Sequence, residues 1–89
     1  MYRVAWRQFA LDELARIWLL ADSAQRNAIT QAAHRIDQRL EMRPHDEGES
    51  RSPGLHFLFE LPLGISYEIL EDQKRVRVLH VWHIRPRSK

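Results

Sequence analysis

The chain has 89 residues, of which 14 are Lys or Arg, 12 are Asp or Glu, 5 are His and none is Cys, for a net charge of +2. That length holds one domain and no second core; 44% hydrophobic content excludes a wholly disordered chain, and the absence of cysteine excludes disulfides and thiolate zinc sites. No apolar run approaches the ~20 residues of a membrane helix, and Met1–Trp6 lacks the apolar core of a signal peptide, so a cytoplasmic, reducing setting and no membrane partner are expected.

Tyr2 to Arg7 alternates large apolar with polar or small residues, which predicts a half-buried strand with Tyr2, Val4 and Trp6 on one face. From about Gln8 to Asp22 the spacing of Leu11, Leu14, Trp18 and Ala21 becomes helical. Its apolar stripe widens at Ile17-Trp18-Leu19-Leu20, which is either deeply buried or a partner surface. Asp22-Ser23 reads as a break and a new N-cap. A second helix is expected over Ser23–Arg43, with Ile29, Ala32 or Ala33, Ile36 and Leu40 inward and Arg26, Arg35, Gln38 and Arg39 solvated; Pro44 stops it.

Pro44 to Gly54 carries two Pro, two Gly, two Ser and several charges, and reads as a loop. Three strands follow: Leu55–Leu61, Ile65–Leu70 after a turn at Pro62-Leu63-Gly64, and Val76–Ile84 after a polar hairpin at Glu71–Lys74. The order strand, helix, helix, strand, strand, strand predicts one α+β domain over residues 1–89, an antiparallel-rich sheet with two helices on one face. No repeat interrupts it.

Alternation along strands sorts side chains onto two faces. The apolar set is Tyr2, Val4, Trp6, Leu55, Phe57, Phe59, Ile65, Tyr67, Ile69, Val76, Val78, Trp82 and Ile84, expected under the helices together with His80. The opposite set is Arg3, Arg7, His56, Glu60, Ser66, Glu68, Arg77, His83 and Arg85, with Leu58, Leu79 and Val81 between them. Four arginines, two histidines and two glutamates on one face would suit metal-free phosphodiester cleavage: a carboxylate or His takes the 2′-hydroxyl proton, Arg stabilises the phosphorane and His protonates the leaving oxygen. An exposed sheet face also carries polar residues and cross-strand ion pairs with no catalytic role. The histidines lack metal-ligand spacing, and no phosphate loop, dinucleotide fingerprint or serine elbow is present, so no metal or cofactor is expected.

Charge is uneven. Lys74 to Lys89 holds six basic residues, two His and no acid, whereas Asp46 to Asp72 holds seven acids against Arg51. Such a basic segment suits a polyanion or an acidic partner.

Several strings resemble the RelE/ParE superfamily of type II toxin–antitoxin toxins. Tyr2-Arg3-Val4-Ala5-Trp6 followed by Ala10-Leu11-Asp12-Glu13-Leu14-Ala15-Arg16-Ile17 is similar to its opening strand and helix. Leu40 and Pro44, then Gly48-Glu49-Ser50-Arg51, are similar to the end of its second helix and the next loop. Pro62 to Ile69 and Val76 to Trp82 resemble its paired central strands. The resemblance implies a cognate antitoxin, met by the sheet or by apolar residues around Trp18-Leu19-Leu20. It also implies an activity, read here as metal-independent cleavage of mRNA on the ribosome that blocks translation, with inhibition of DNA gyrase without catalysis as the alternative. A third outcome is an inactive member that only binds its antitoxin.

With the ribonuclease branch, face parity and resemblance together nominate His83 as acid, Glu60 or Glu68 as base, and Arg85 as a further catalytic cation. Arg77, Arg85, Arg87, Lys89, Arg51 and His56 would bind RNA. The arginine that RelE-like enzymes carry early in the second of the last three strands is absent, the position being Gly64 or Ile65, and the Tyr or His that many carry after the last strand is replaced by Pro86-Arg87-Ser88-Lys89.

Overall fold

Asp22 decides where one helix stops and the next starts. In the computed structural model, which describes residues 1–85, its carboxylate accepts the Gln25 N–H at 2.9 Å, and the Gln25 side chain accepts the Asp22 N–H in return. This reciprocal cap separates α1 (Gln8–Leu19) from α2 (Ser23–Met42). Arg26 reaches back and donates to the Trp18 and Leu19 carbonyls at 2.9 and 3.1 Å, placing a cation at the negative end of α1. Along α2 the predicted inward line, Ile29, Ala32, Ile36 and Leu40, is buried. Pro44 ends α2 and opens a single helical turn, α3 (Pro44–Glu47).

The sheet has five strands rather than four: β1 (Arg3–Trp6), β2 (Glu49–Ser52), β3 (Leu55–Glu60), β4 (Leu63–Leu70) and β5 (Arg75–His83), in the spatial order β1-β5-β4-β3-β2. β1 lies parallel to β5 and the other pairings are antiparallel. The extra strand, β2, falls in the stretch read as a loop. Its sequence, Glu-Ser-Arg-Ser, has no apolar face, and it pairs at the sheet edge with all four residues exposed. β4 begins at Leu63, so the turn before it is shorter than expected, and the Leu61–Pro62 peptide within it is cis.

Two phase changes alter which side chains face the helices. On β5 the register slips between Ser66↔His80 and Tyr67↔Val78, so Leu79 is an extra residue in the strand. Val76 and Val78 point to the helices; after the bulge Val81 does so instead of His80 and Trp82. On β3 the inward residues are His56, Leu58 and Glu60, aligned with inward-facing Tyr67, Ile65 and Leu63. Leu55, Phe57 and Phe59, expected in the core, emerge on the open face, where Phe57 and Phe59 pack edge-on against Trp82.

Past the end of β1, β5 has no strand neighbour on that side. α1 covers the gap, and Glu13 accepts the Val81 N–H at 3.0 Å, satisfying a donor that an edge would otherwise leave open. The far end of the sheet is fastened by Glu71, whose carboxylate accepts Tyr2 Oη–H at 2.9 Å and Lys74 Nζ–H at 2.9 Å and lies 2.7 Å from His45 Nε2. Hydrogen bonds from Lys74, His45 and Tyr2 hold this carboxyl down at about 2. A depressed carboxylate contributes stability that is present above its ordinary value of 4.5 and lost as pH falls towards 2. Glu71→Gln is therefore expected to flatten the acid limb of a Tm-against-pH curve over that window; an unchanged limb would contradict the clasp.

Candidate functional site

Each nominated residue has a definite place, and the set is divided between two faces. Glu60 lies on the helix side. Its Oε2 accepts Arg35 Nε–H at 2.9 Å and its Oε1 accepts Arg39 Nη1–H at 2.8 Å, while Arg39 also bonds Glu47. Arg35, exposed as expected, and Arg39, part-buried, bridge α2 to β3. Burial pushes the Glu60 carboxyl up, but the two guanidinium hydrogen bonds and charges outweigh it and hold the group below the usual carboxylate range. A carboxylate held this way is a weak proton acceptor. Glu68 is on the open face, paired with Arg77 at 3.1 Å.

His83 is on the helix side, in the row Glu60–Leu63–His83. Two strand spacings, about 10 Å, and the buried Leu63 separate it from Glu60. Its Nδ1 is 3.4 Å from Arg85 Nε. Both border a cavity of about 620 Å³ whose walls include Leu20, Ala28, Leu61 and Pro62. His83 and Arg85 thus meet each other but neither glutamate, and Arg77 is across the sheet. The single acid–base basin expected from parity is not formed, because β3 and the upper half of β5 both run out of the assumed phase.

His56, nominated to bind RNA, stacks on buried Tyr67 with ring centroids 5.1 Å apart and an interplanar angle of 18°. Burial, with the nearby His45 charge, pushes its pKa down, favouring the neutral ring. Its Nδ1 is buried without a partner. Arg51 lies at the β2 edge, 5.4 Å from the Phe57 ring centre and 3.5 Å from Glu49. Arg87 and Lys89 lie outside the described residues.

Sequence reasoning missed the open face's actual centre. Trp82 crosses from β5 onto Gly64 of β4, its cross-strand partner. A Cβ built on Gly64 would sit 2.6 Å from Trp82 Cε2 and Nε1, so the indole fills the room a side chain would need there. Gly64 is, with Ile65, one of the two positions at which the RelE resemblance calls for arginine. The only signal for this was the glycine itself, within a strand.

At the same end of the sheet, apolar surface gathers beside the 620 Å³ cavity: Leu19 is 66% exposed, Leu20 73% and Leu61 66%. Of the widened stripe on α1, Trp18, Leu19 and Leu20 are therefore surface, while Ile17 packs against the core. No metal-ligating cluster of three or more His, Asp or Glu exists among the described residues, and no helix among them is long and apolar enough to cross a membrane.

Solved structures share this architecture over nearly their whole length. A chain of the chromosomal ParDE toxin–antitoxin system from P. aeruginosa superposes with a TM-score of 0.74 at 16% identity, covering 96% of this chain and 98% of that one. This chain has the RelE/ParE toxin fold. The isolated E. coli RelE toxin matches with a TM-score of 0.65 at 20% identity, covering all of this chain and 89% of its own. The toxin–antitoxin complex RelBE2 from Mycobacterium tuberculosis matches with a TM-score of 0.66 at 19% identity over 92% and 96%. No protein-family model and no curated protein matches the sequence. Within the RelE/ParE fold, then, this chain has an indole over a glycine at the middle of the open sheet and carboxylates that are already paired.

Proposed function

We infer that this chain is the toxin of a type II toxin–antitoxin pair and that it acts by binding its target, as the ParE-like branch does on DNA gyrase, rather than by cutting RNA. The toxin reading is supported by the fold shared with chains from ParDE and RelBE systems. A cognate antitoxin is supported by the apolar surface at Leu19, Leu20 and Leu61, which needs a cover. The observation that carries the binding mode is the state of the two nominated glutamates: both are ion-paired, they lie on opposite sides of the sheet, and neither accompanies His83 as a free base.

One observation favours the ribosome-dependent mRNA endoribonuclease reading, namely the His83–Arg85 pair beside a cavity. Expression of the chain alone, and together with the product of the neighbouring gene, separates the two. Binding without catalysis predicts growth arrest relieved by the co-expressed antitoxin, retained in His83→Ala, with gyrase supercoiling inhibited by the purified chain. Arrest abolished by His83→Ala, with supercoiling unaffected, would overturn it. No arrest at all would leave an antitoxin-binding module without toxicity.

A further inference from the structure

We propose that the β1–β5 edge of the open sheet face binds the phosphate backbone of duplex DNA, an activity separate from the toxin's target inhibition. The two strands come from opposite ends of the sequence and lie parallel, with Arg3 aligned to Arg75 and Ala5 to Arg77. Val4, Trp6, Val76 and Val78 pack on the helix side. By alternation Arg3, Arg75 and Arg77 therefore emerge together on the open face, and Arg7 continues the β1 row.

Like charges set side by side on neighbouring strands work against a sheet. Here a single carboxylate, Glu68, offsets the ladder, and it is committed to Arg77 at 3.1 Å. Arg3, Arg7 and Arg75 make no ion pair among the described residues. Of the other described arginines, Arg35 and Arg39 are matched to Glu60 and Arg51 to Glu49, while Arg16, Arg26, Arg43 and Arg85 are not; what sets the β1–β5 arginines apart is their alignment side by side on one sheet face. An uncompensated row of guanidinium groups is suited to bidentate capture of phosphates.

The aromatic residues on the same face decide between a duplex and a single strand. Proteins that hold single strands stack bases on open ring faces. Here each ring is held edge-on by a neighbour, and Phe9 and Phe59, 50% and 46% exposed, are not laid out as a stacking platform. Phe57 and Phe59 meet Trp82 at 72° and 74°, Arg51 covers Phe57, and Phe9 contacts the Arg7 guanidinium and meets His80 edge-on. What is left is cationic and carries no base-reading element, which fits sequence-independent contact with duplex phosphates.

Fluorescence anisotropy with a short labelled duplex DNA of arbitrary sequence, and with single-stranded DNA and RNA of the same sequence, tests this on the full chain. The duplex is expected to bind more tightly than either single strand at low salt, with log K falling linearly as log salt rises. Arg3→Ala with Arg75→Ala should weaken binding at least about tenfold and reduce that slope by about 1.8, at about 0.9 per lost phosphate contact. Arg3→Lys with Arg75→Lys should keep the slope, which follows charge, and weaken binding less than the alanine pair, which separates loss of charge from loss of fold, and Arg16→Ala on α1 should match the parent chain. Unchanged duplex binding in the double alanine variant, or tighter binding of either single strand, would overturn the proposal.

Discussion

Gly64→Ala is expected to destabilise the domain by about 2 kcal/mol, an unusually large loss for adding one methyl group. The new Cβ would approach Trp82 Cε2 and Nε1 to 2.6 Å. The indole cannot swing aside freely, because Phe57 and Phe59 pack edge-on against it at 6.0 and 6.2 Å. Urea denaturation of Gly64→Ala, Trp82→Ala and the double variant checks the cause: with the indole gone the extra methyl meets nothing, so the two effects should fail to add by at least about 1 kcal/mol. Additive effects would show that the contact with Trp82 is not what restricts position 64. Gly64→Arg follows from the same contact. It restores the residue type that the ribonuclease resemblance calls for, yet it is expected to lose stability and gain no RNA cleavage.

Tyr67→Ala should cost about 3–5 kcal/mol, the range for emptying a buried aromatic site. Tyr67 has no exposed surface. It stacks on His56, donates to the Pro44 carbonyl at 2.7 Å, and leaves Gly48 no room for a Cβ, which would lie 2.5 Å from its hydroxyl oxygen. One side chain thus holds α3 and the start of β2 against the sheet. Tyr67→Phe keeps the ring but leaves the Pro44 carbonyl unpaired, for about 1–2 kcal/mol.

The two variants also differ from the parent chain in alkali. Burial, with the Glu47 charge adding to it, pushes the Tyr67 hydroxyl up to about 12 from 10. A raised value means the native state holds the proton more tightly than the unfolded chain. The resulting stability is complete below pH 10 and disappears as pH rises towards 12. Phenolate absorbance should show Tyr67 ionising together with unfolding in the parent, and Tyr67→Phe should lose that part of the alkaline limb.

How far the fold was legible depended on whether one face of an element was unambiguously apolar. The helices met that condition: Ile29, Ala32, Ile36 and Leu40 sit at helical spacing, and all four are buried. β1 met it too, and so did β4 from Ile65 to Ile69. β3 did not. Both of its faces carry large apolar residues, and what turns Glu60 inward is Arg35 and Arg39, distant in sequence and on another element. β5 was misread for a different reason: the bulge at Leu79 inserts a residue into an unbroken Val-Arg-Val-Leu-His-Val-Trp run, with no glycine to mark it. Everything after it changes face, taking His83 and Trp82 with it. β2 was invisible because an exposed edge strand needs no apolar residue. The candidate site inherited these errors, since it was assembled by counting odd and even positions across the three strands. Arg3 and Arg77 were correctly put on one face, but their adjacency depended on β1 pairing in parallel with β5, which alternation does not encode.

The central claim is that the chain arrests its target without cutting RNA. Mapping the 5′ ends of mRNA on ribosomes treated with the purified chain tests it most directly. The account predicts transcripts as intact as in untreated ribosomes, while gyrase supercoiling assayed in parallel is inhibited. New cleavage ends at codon positions that disappear with His83→Ala, alongside undisturbed supercoiling, would contradict it.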